Sequence, residues 1–272
     1  MINNMIEFIK VFMLGVIQGI TEWLPISSTG HLLLFDELFP LNASESFLSV
    51  FTVVIQLGSI LAVVVLYWSK LWPFKSDKKE MKKSFILWSK VLTASIPAAI
   101  AGLLLDDIID SKLSTWYVIA LALFVYGVLY IILEKKIKFK TRINSLEEIT
   151  YLDSIKIGAF QMLALIPGTS RSGSTILGGI ICGISRPVVA EFSFFMAIPV
   201  MAGASLLRLL KSGLGFTAIE WVYLLLGSLI SFIVSLIVIK ALVKFVREHD
   251  FSAFGVYRII LSIVVVLFFS FR

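Results

Sequence analysis

The sequence predicts an all-α polytopic membrane protein made of two inverted repeats, each a re-entrant helix hairpin plus three transmembrane helices. Three observations lead to this prediction: an apolar composition, six apolar runs, and two polar breaks inside otherwise apolar segments. Of the 272 residues, 58% are hydrophobic and 15% are charged. A soluble domain has roughly 45–50% apolar and about 25% charged residues, so the composition indicates an integral membrane protein.

The charges and the cysteine count exclude several other classes. The net charge is +6, and the basic residues lie between apolar runs, as membrane topology requires. A nucleic-acid partner would be indicated by basic residues interleaved with aromatic ones, and the sequence has no such surface. The single cysteine, Cys182, excludes an internal disulfide and a multi-cysteine metal site. Since Glu7 and Lys10 precede the first apolar run and no cleavage site closes it, we expect the spans themselves to direct membrane insertion.

Six apolar runs predict the spans. A transmembrane helix needs about 20 residues to cross a hydrocarbon core of about 30 Å. Four runs reach this length, at about 47–67, 113–133, 221–239 and 252–271. Two shorter runs, at about 91–105 and 192–207, reach it with their flanks; they contain Pro97 and Pro199, which membrane helices tolerate.

Two further apolar segments, 8–35 and 157–184, are interrupted by proline, glycine, serine and threonine. Each half has about 11–14 residues, which corresponds to roughly 16–20 Å of helix at about 1.5 Å per residue. Such a half-helix reaches only the middle of the membrane. We therefore expect each segment to form a re-entrant hairpin, with one half-helix entering, a polar break, and one half-helix leaving.

Sequence similarities between the two halves predict an internal repeat. Residues 15–18 (Gly-Val-Ile-Gln) resemble residues 158–161 (Gly-Ala-Phe-Gln), and a proline follows seven residues later in the first half and six later in the second. A tryptophan also precedes a lysine by nineteen residues in each half, at Trp116/Lys135 and at Trp221/Lys240. We expect repeats at 1–140 and 150–272.

Parity and charge predict how the repeats lie in the membrane. Three spans per repeat is an odd number, so the repeats are inverted and their site is expected near the midplane at their interface. If the basic segments are cytoplasmic, both termini lie outside and the first hairpin enters from outside. The segment 106–110 is acidic, whereas Arg208 and Lys211 oppose this orientation. The basic segments are 70–90, 135–142 and 240–247.

The second polar break, 167–174, has the residue types of an anion site. A helix N-terminus presents free N–H groups and the positive end of the helix dipole. Arg171 adds a planar fork of donors that suits phosphate oxygens. Charged groups inside a membrane are costly, and the arginine therefore indicates a functional site. Alternatively, the hydroxyl groups satisfy the backbone of the break itself, which would explain Thr169 and Ser172 without a ligand.

The first polar break, 18–31, supplies candidate catalytic groups. Gln18 and Glu22 are four residues apart and share a helix face. Ser27 and Ser28 lie close enough in sequence for either hydroxyl to approach the imidazole of His31. A carboxylate, a histidine and a hydroxyl provide base and nucleophile candidates. The alternative is that Glu22 only neutralises Arg171 across the repeat interface.

Both breaks resemble a known family. Residues 19–31 (GITEWLPISSTGH) and 167–173 (PGTSRSG) are similar to the two signature motifs of undecaprenyl-pyrophosphate phosphatases, the bacitracin-resistance family of bacterial membranes. The resemblance covers nearly the whole chain and implies the inverted-repeat fold with two re-entrant hairpins. It also implies that the chain removes the terminal phosphate of undecaprenyl pyrophosphate and so recycles the lipid carrier for peptidoglycan synthesis.

The resemblance extends to individual residues. By motif position, the catalytic residues are expected to be Glu22, Ser28, His31 and Arg171. It implies a divalent cation, Mg²⁺ or Ca²⁺, with Glu22 as its ligand; Gln18 occupies a position where the family has Glu or Gln. Mg²⁺ uses one or two carboxylates plus waters and substrate phosphates, so Glu22 can suffice. Further substrate-binding residues are expected to be Gln18, Ser27, Thr29, Thr169, Ser170, Ser172 and Ser174.

The expected partners are a polyprenyl pyrophosphate and membrane lipids, with no nucleic acid, and a homodimer is left open. The expected location is the bacterial plasma (inner) membrane, with the active site toward its outer face. Ser28 is expected either to attack the β-phosphorus or to position a water that does, with His31 as base or phosphate ligand. The rival function is an anion or lipid-phosphate transporter, because inverted repeats and half-helix N-termini are also transporter features.

Overall fold

The computed structural model describes residues 2–135, 140–213 and 215–272. Within these residues the secondary structure is helical, apart from one isolated β-bridge between Ile143 and Ile184. A π-helical turn, Ile109–Leu113, and a 3₁₀ turn, Leu163–Leu165, follow two of the helices. The α-helices are α1 (Ile2–Thr21), α2 (Ser28–Leu38), α3 (Glu45–Leu66), α4 (Trp68–Leu71), α5 (Lys78–Ile108), α6 (Trp116–Lys135), α7 (Tyr151–Met162), α8 (Arg171–Ile181), α9 (Arg186–Ser212), α10 (Ala218–Glu248) and α11 (Ser252–Ser270).

Six helices in the described part of the chain are long and apolar enough to cross a membrane: α3, α5, α6, α9, α10 and α11. They correspond to the six predicted runs, apart from one to three residues at the ends of three of them, so the prediction of six helices able to span a membrane is confirmed. Pro97 and Pro199 lie inside α5 and α9 without ending them. Both α5 and α10 have 31 residues and exceed their predicted runs, because charged residues continue the helix beyond the apolar stretch.

The helices at the two polar breaks match the predicted half-helix lengths in three of four cases. Helices α2, α7 and α8 have 11, 12 and 11 residues. The exception is α1, which has 20 residues, so the expected 11–14 residues is wrong there. The polar N-terminal turns extend the helix, and within them Lys10 donates to Glu7 at 2.8 Å, one helical turn away.

Contacts between helix ends show that the segments connecting the helices lie on two faces of the molecule. On one face, Lys70 pairs with Glu191, and Arg186 pairs with Glu134. The segment 140–144 also lies on this face, where the β-bridge joins it to the end of α8. Basic residues from separate segments therefore share a face; of the predicted basic segment 135–142, residues 136–139 lie outside the described residues.

The opposite face carries the chain ends. The carboxylate of Glu7 accepts from the backbone N–H of Asn42 at 2.9 Å, which brings the start of α1 close to the end of α2. Ser44 donates to Glu220 at 3.0 Å, and Arg272 pairs with Glu37. Helices α1 and α2 thus begin and end at this face, which leaves the break between them inside the molecule.

Helix packing across the molecule is close where glycine permits it. Helix α6 packs on α11, α1 on α10, α7 on α5, and α3 on α9. At the α6–α11 crossing, a Cβ atom on Gly127 would lie 2.8 Å from the carbonyl oxygen of Gly255. A Cβ atom on Gly255 would lie 2.7 Å from the carbonyl oxygen of Gly127. A side chain at either position would force the two helices apart.

Candidate active site

The two polar breaks have the same local structure. Ser27 precedes α2 with φ 71°, and Ser170 precedes α8 with φ 72°. The hydroxyl of Ser27 accepts from the backbone N–H of Gly30 at 3.4 Å, and that of Ser170 accepts from Gly173 at 3.1 Å. Each serine therefore caps the helix that follows it. A serine with positive φ is uncommon, and its strain indicates that the surrounding contacts hold both loops in one conformation.

Gly168 fits a place in the second loop that other residues could not occupy. Its φ is +94°, in the region that favours glycine. A Cβ atom on Gly168 would lie 2.6 Å from the carbonyl oxygen of Ile119 in α6. The glycine therefore lets the second loop pack directly against the backbone of α6.

Glu22 lies one residue beyond α1 and is buried, with 5% of its surface exposed. Its Oε2 accepts from Nε2 of Gln18 at 2.9 Å, as the shared helix face predicts. Its Oε1 lies 2.9 Å from Nη2 of Arg171, the first residue of α8. The structure thus brings together the carboxylate of one break and the guanidinium of the other.

Arg171 makes further contacts that orient its guanidinium. Nη1 donates to the carbonyl oxygen of Ser193 at 2.8 Å and to its hydroxyl at 3.1 Å. The guanidinium also lies over the ring of the buried Trp23, 5.7 Å from its centroid. Ser193 on α9 and Trp23 were not singled out from the sequence, since a serine or a tryptophan in an apolar run carries no specific signal.

Three of the predicted substrate-binding hydroxyls instead bond within the protein. Thr169 donates to the carbonyl oxygens of Leu163 and Ile166, at 2.9 and 2.8 Å. Ser172 donates to the carbonyl oxygen of Glu22 at 3.2 Å, which ties α8 to the first loop. Ser174 donates to the hydroxyl of Tyr126 at 3.2 Å. For Thr169 and Ser172, these contacts match the alternative in which the hydroxyls satisfy the breaks themselves.

The remaining predicted hydroxyls lie at the helix N-termini. Ser28 is the first residue of α2, half-buried, and its hydroxyl has no hydrogen-bond partner among the described residues. Thr29 is exposed. Ser170 is half-buried, and its hydroxyl lies 3.2 Å from that of Ser172. Ser27 is fully buried and serves as a cap.

His31 is held at both ring nitrogens. Its Nδ1 lies 2.7 Å from the carbonyl oxygen of Ser27, so Nδ1 carries the proton of this contact. Its Nε2 lies 2.7 Å from the hydroxyl of Tyr257 in α11. The expected contact of a Ser27 or Ser28 hydroxyl with the imidazole is not formed, because the carbonyl of the capping residue, four residues earlier, already occupies Nδ1.

Arg258, which the sequence analysis missed, joins the two loops. It is fully buried in α11. Its Nη1 donates to the carbonyl oxygen of Pro25 at 3.2 Å, and its Nη2 donates to that of Gly168 at 2.8 Å. The guanidinium lies over the ring of Tyr126, 5.3 Å from its centroid. An arginine within the apolar run 252–271 was an available signal, since charge inside a membrane segment indicates a functional or structural role.

The side-chain oxygen atoms of Glu22 and Gln18 are candidate ligands of a divalent cation. No group of three or more His, Cys, Asp or Glu in the described residues forms a metal site. Beside the Glu22 carboxylate, however, Oε1 of Gln18 is buried without a hydrogen-bond partner among the described residues. A carboxylate and an amide oxygen are hard ligands that fit a cation taking its other ligands from water and substrate phosphate.

Together, these features define a class of protein: a polytopic helical membrane protein with a buried arginine–glutamate pair beside two serine-capped helix N-termini. The model of the family "Bacitracin resistance protein BacA" matches residues 11–264. The chain belongs to this family.

Named relatives cover nearly the full chain. The undecaprenyl-diphosphatase of Acetivibrio thermocellus is 54% identical over 268 residues, covering 97% of this chain and 98% of that protein. The undecaprenyl-diphosphatase of Enterococcus faecalis is 51% identical over 269 residues, with coverage of 97% and 98%. Undecaprenyl-diphosphatase 1 of Clostridioides difficile is 52% identical over 268 residues, with coverage of 98% and 97%.

Proposed function

We propose that this protein hydrolyses undecaprenyl diphosphate to undecaprenyl phosphate and inorganic phosphate. The observation that carries the proposal is the contact of Arg171 with Glu22 at 2.9 Å, between two capped helix N-termini. Such a site offers a cationic fork and free backbone N–H groups to a phosphate. Relatives with about half of their residues identical carry the name undecaprenyl-diphosphatase. Recycling of this lipid for peptidoglycan synthesis and resistance to bacitracin follow from the same reaction.

The fold proposed for this function has two inverted repeats, 1–140 and 150–272, with re-entrant hairpins at α1–α2 and α7–α8. Equal spacing supports the repeats: Gln18 and Gln161, and likewise the capping serines Ser27 and Ser170, are separated by 143 residues. Helix pairing supports them as well. The first hairpin helix of each half packs on the last-but-one helix of the other half, α1 on α10 and α7 on α5.

Arg171 is proposed to bind the β-phosphate and to stabilise the charge that develops on it during transfer. The N-termini of α2 and α8 supply backbone donors, with the hydroxyls of Thr29 and Ser170 beside them. Thr169, Ser172 and Ser174 are assigned to holding the loops, because their hydroxyls already bond within the protein.

Ser28 is proposed as the residue nearest to the chemistry. Its hydroxyl either attacks the β-phosphorus, which releases undecaprenyl phosphate and leaves a phosphoserine for water to hydrolyse, or orients the attacking water. His31, through Nε2, accepts the proton of the attacking hydroxyl or water. The leaving group is a phosphate monoester, whose second pKa of about 6 makes it a good leaving anion without a general acid.

A divalent cation, Mg²⁺ or Ca²⁺, is proposed to bind at Glu22 and Gln18. Bound there, it would neutralise negative charge on the diphosphate. The carboxylate of Glu22 and the unpartnered amide oxygen of Gln18 support this assignment.

The proposed location is the bacterial plasma membrane, with the site toward its outer face. The face that carries the Lys70–Glu191 and Arg186–Glu134 pairs, called the lysine-rich face, is then cytoplasmic, by the preference of basic loops for that side. A homodimer remains compatible with this arrangement, and membrane lipids surround the apolar helix faces.

Phosphate release by the purified protein in detergent tests the function. With a C55 or shorter polyprenyl diphosphate and Mg²⁺, we expect inorganic phosphate and the lipid monophosphate in equal amounts. The matched control is Glu22→Gln, which should release little. Binding of the lipid without phosphate release from the wild-type protein would instead favour the transporter function.

A further inference from the structure

A polar cavity separate from the candidate active site lies on the lysine-rich face, with a volume of about 610 Å³. It lies between the segment that follows α3, the start of α5, and residues 144–147. None of the candidate active-site residues lines it. Its charged lining residues are four lysines and three glutamates, namely Lys70, Lys75, Lys83, Lys90, Glu80, Glu147 and Glu191.

Lys90 is the buried cation of this cavity. Only 6% of its surface is exposed, and its Nζ donates to the backbone carbonyl of Glu147 at 2.9 Å. An ammonium group has three donors, and a neutral carbonyl satisfies one of them without balancing the charge. No carboxylate in the described part of the chain pairs with Lys90. A buried charge without a counter-ion is costly, so a ligand that supplies negative charge would be stabilised there.

Two of the three glutamates of the cavity are already paired with lysines other than Lys90. Glu80 lies 2.6 Å from Nζ of Lys83, and Glu191 lies 2.5 Å from Nζ of Lys70. Both carboxylates are therefore already matched by lysines at the cavity edge. Glu147 is exposed, and the half-buried Lys75 has no ion-pair partner among the described residues.

Aromatic side chains beside the cavity indicate the level of the membrane surface. Trp68 and Trp72 stack with ring centroids 4.7 Å apart, and both are exposed. Phe74 packs edge-on against Trp72 and against Phe85. Phe74 and Phe85 are exposed as well. Exposed tryptophans are typical of the membrane–water interface, where lipid headgroups lie.

We propose that this cavity binds the phosphate of an anionic phospholipid headgroup, with Lys90 and Lys75 as its contacts. A headgroup phosphate supplies the missing counter-charge, and its acyl chains can lie along the exposed aromatic rings. Free inorganic phosphate shares the anionic chemistry but would gain nothing from these rings. Basic clusters next to membrane helices also attract anionic lipids through their surface potential.

Native mass spectrometry of the detergent-purified protein tests the proposal, with phosphatidylglycerol and phosphatidylcholine titrated separately. We expect the wild-type protein to bind phosphatidylglycerol at lower added lipid concentrations than it needs to bind phosphatidylcholine. In Lys90→Met the affinity for phosphatidylglycerol should fall about tenfold or more, as expected for loss of a charged hydrogen bond. Lys156→Met is the matched control, because Lys156 is exposed in the middle of α7 and does not line the cavity.

A second cavity variant and a competition experiment complete the test. If Lys90→Met does not fold, Lys75→Gln combined with Lys83→Gln changes only accessible residues of the same cavity and should also weaken phosphatidylglycerol binding. Inorganic phosphate at millimolar concentration should not displace the lipid. Equal retention of both lipids, equal affinity in the cavity variants and Lys156→Met, or displacement by inorganic phosphate would each overturn the proposal.

Discussion

Nη2 of Arg171 lies 2.9 Å from Oε1 of Glu22, although 149 residues separate them in the chain. Both side chains are buried, with exposed fractions of 10% and 5%. Ser193 holds the other arm of the guanidinium, so the arginine keeps its orientation independently of Glu22. The arginine is thus already desolvated and held between Glu22 and Ser193 before any phosphate arrives.

Arg171→Ala is therefore expected to reduce kcat by at least about a hundredfold. A fixed donor aimed at developing charge contributes roughly 10²–10³ in rate, and arginines at transferred phosphoryl groups contribute about 10³–10⁵. Arg171→Lys should restore little, because a lysine cannot contact Ser193 and a phosphate through one planar fork. Steady-state kinetics at matched membrane expression would measure both effects.

The alternative, in which Arg171 only neutralises Glu22, predicts different kinetics. Arg171→Lys would then recover most of the activity, and the double variant Arg171→Met with Glu22→Gln would retain turnover. Recovery by lysine would therefore contradict the catalytic assignment.

Glu22→Gln is expected to lower activity far more than Gln18→Ala. The first change removes the only carboxylate of the site, whereas the second removes an amide that donates to that carboxylate at 2.9 Å. Phosphate release measured over a range of Mg²⁺ concentrations checks this order. Equal losses in two normally expressed variants would show that the amide matters as much as the charge.

Tyr257→Phe is expected to lower KM about two- to tenfold, with kcat changed less than twofold. Nδ1 of His31 is bonded to a backbone carbonyl, so Nε2 is the nitrogen available to substrate, and the hydroxyl of Tyr257 occupies it at 2.7 Å. In the proposed mechanism the substrate displaces that hydroxyl, and one hydrogen bond contributes about 0.5–1.5 kcal/mol. Tyr117→Phe, on the exposed surface of α6, is the control. A lower kcat in Tyr257→Phe would instead assign the phenol a direct part in the reaction.

Arg258→Met is expected to destabilise the protein as well as to inactivate it. The change leaves the carbonyl oxygens of Pro25 and Gly168 without their donor, at a cost of about 1–3 kcal/mol for each buried group. We expect the melting temperature in detergent to fall by about 5 °C or more. Arg258→Lys should recover part of the stability, since an ammonium can reach one of the two carbonyls; an unchanged melting temperature in Arg258→Met would refute the structural role.

The orientation of the protein can be tested by cysteine labelling. In a background with Cys182→Ser, single cysteines replace Lys78 on the basic face and Asp110 in the acidic segment. An impermeant thiol reagent on intact cells should label position 110 and leave position 78 unlabelled. Labelling of position 78 alone would reverse the orientation and move the first hairpin to the cytoplasmic side.

Hydropathy was sufficient to predict the spans, because six long apolar runs have few alternatives in a membrane protein. It did not predict where the helices end, since charged residues at the start of α5 continue the helix beyond the apolar run. The two tryptophans lie on helices at different places in the two proposed repeats. Trp116 begins α6, the last helix of the first half, whereas Trp221 lies in α10, the last but one of the second.

For the candidate site, the sequence raised the meeting of Glu22 with Arg171 only as the alternative in which Glu22 neutralises the arginine, and it did not predict the partners that hold them. A buried carboxylate and a buried arginine need each other, and this physical requirement is visible in the sequence. The contact of Tyr257 with His31 depends on how α11 packs beside α2, which no local pattern reports. Arg258 was visible as a charge in an apolar run, but its acceptors are backbone carbonyls, which every residue has.

Adjacent residues of α11 reach both halves of the site: Tyr257 contacts His31, and Arg258 holds the two loops. The helix also lies against α6 with no side chain between Gly127 and Gly255. A small tilt of α11 would therefore release the histidine and shift both loops at the same time, because both contacts come from one rigid helix. A compound wedged into the α6–α11 crossing from the lipid side would inhibit the enzyme without resembling a phosphate, which gives inhibitor discovery an apolar target.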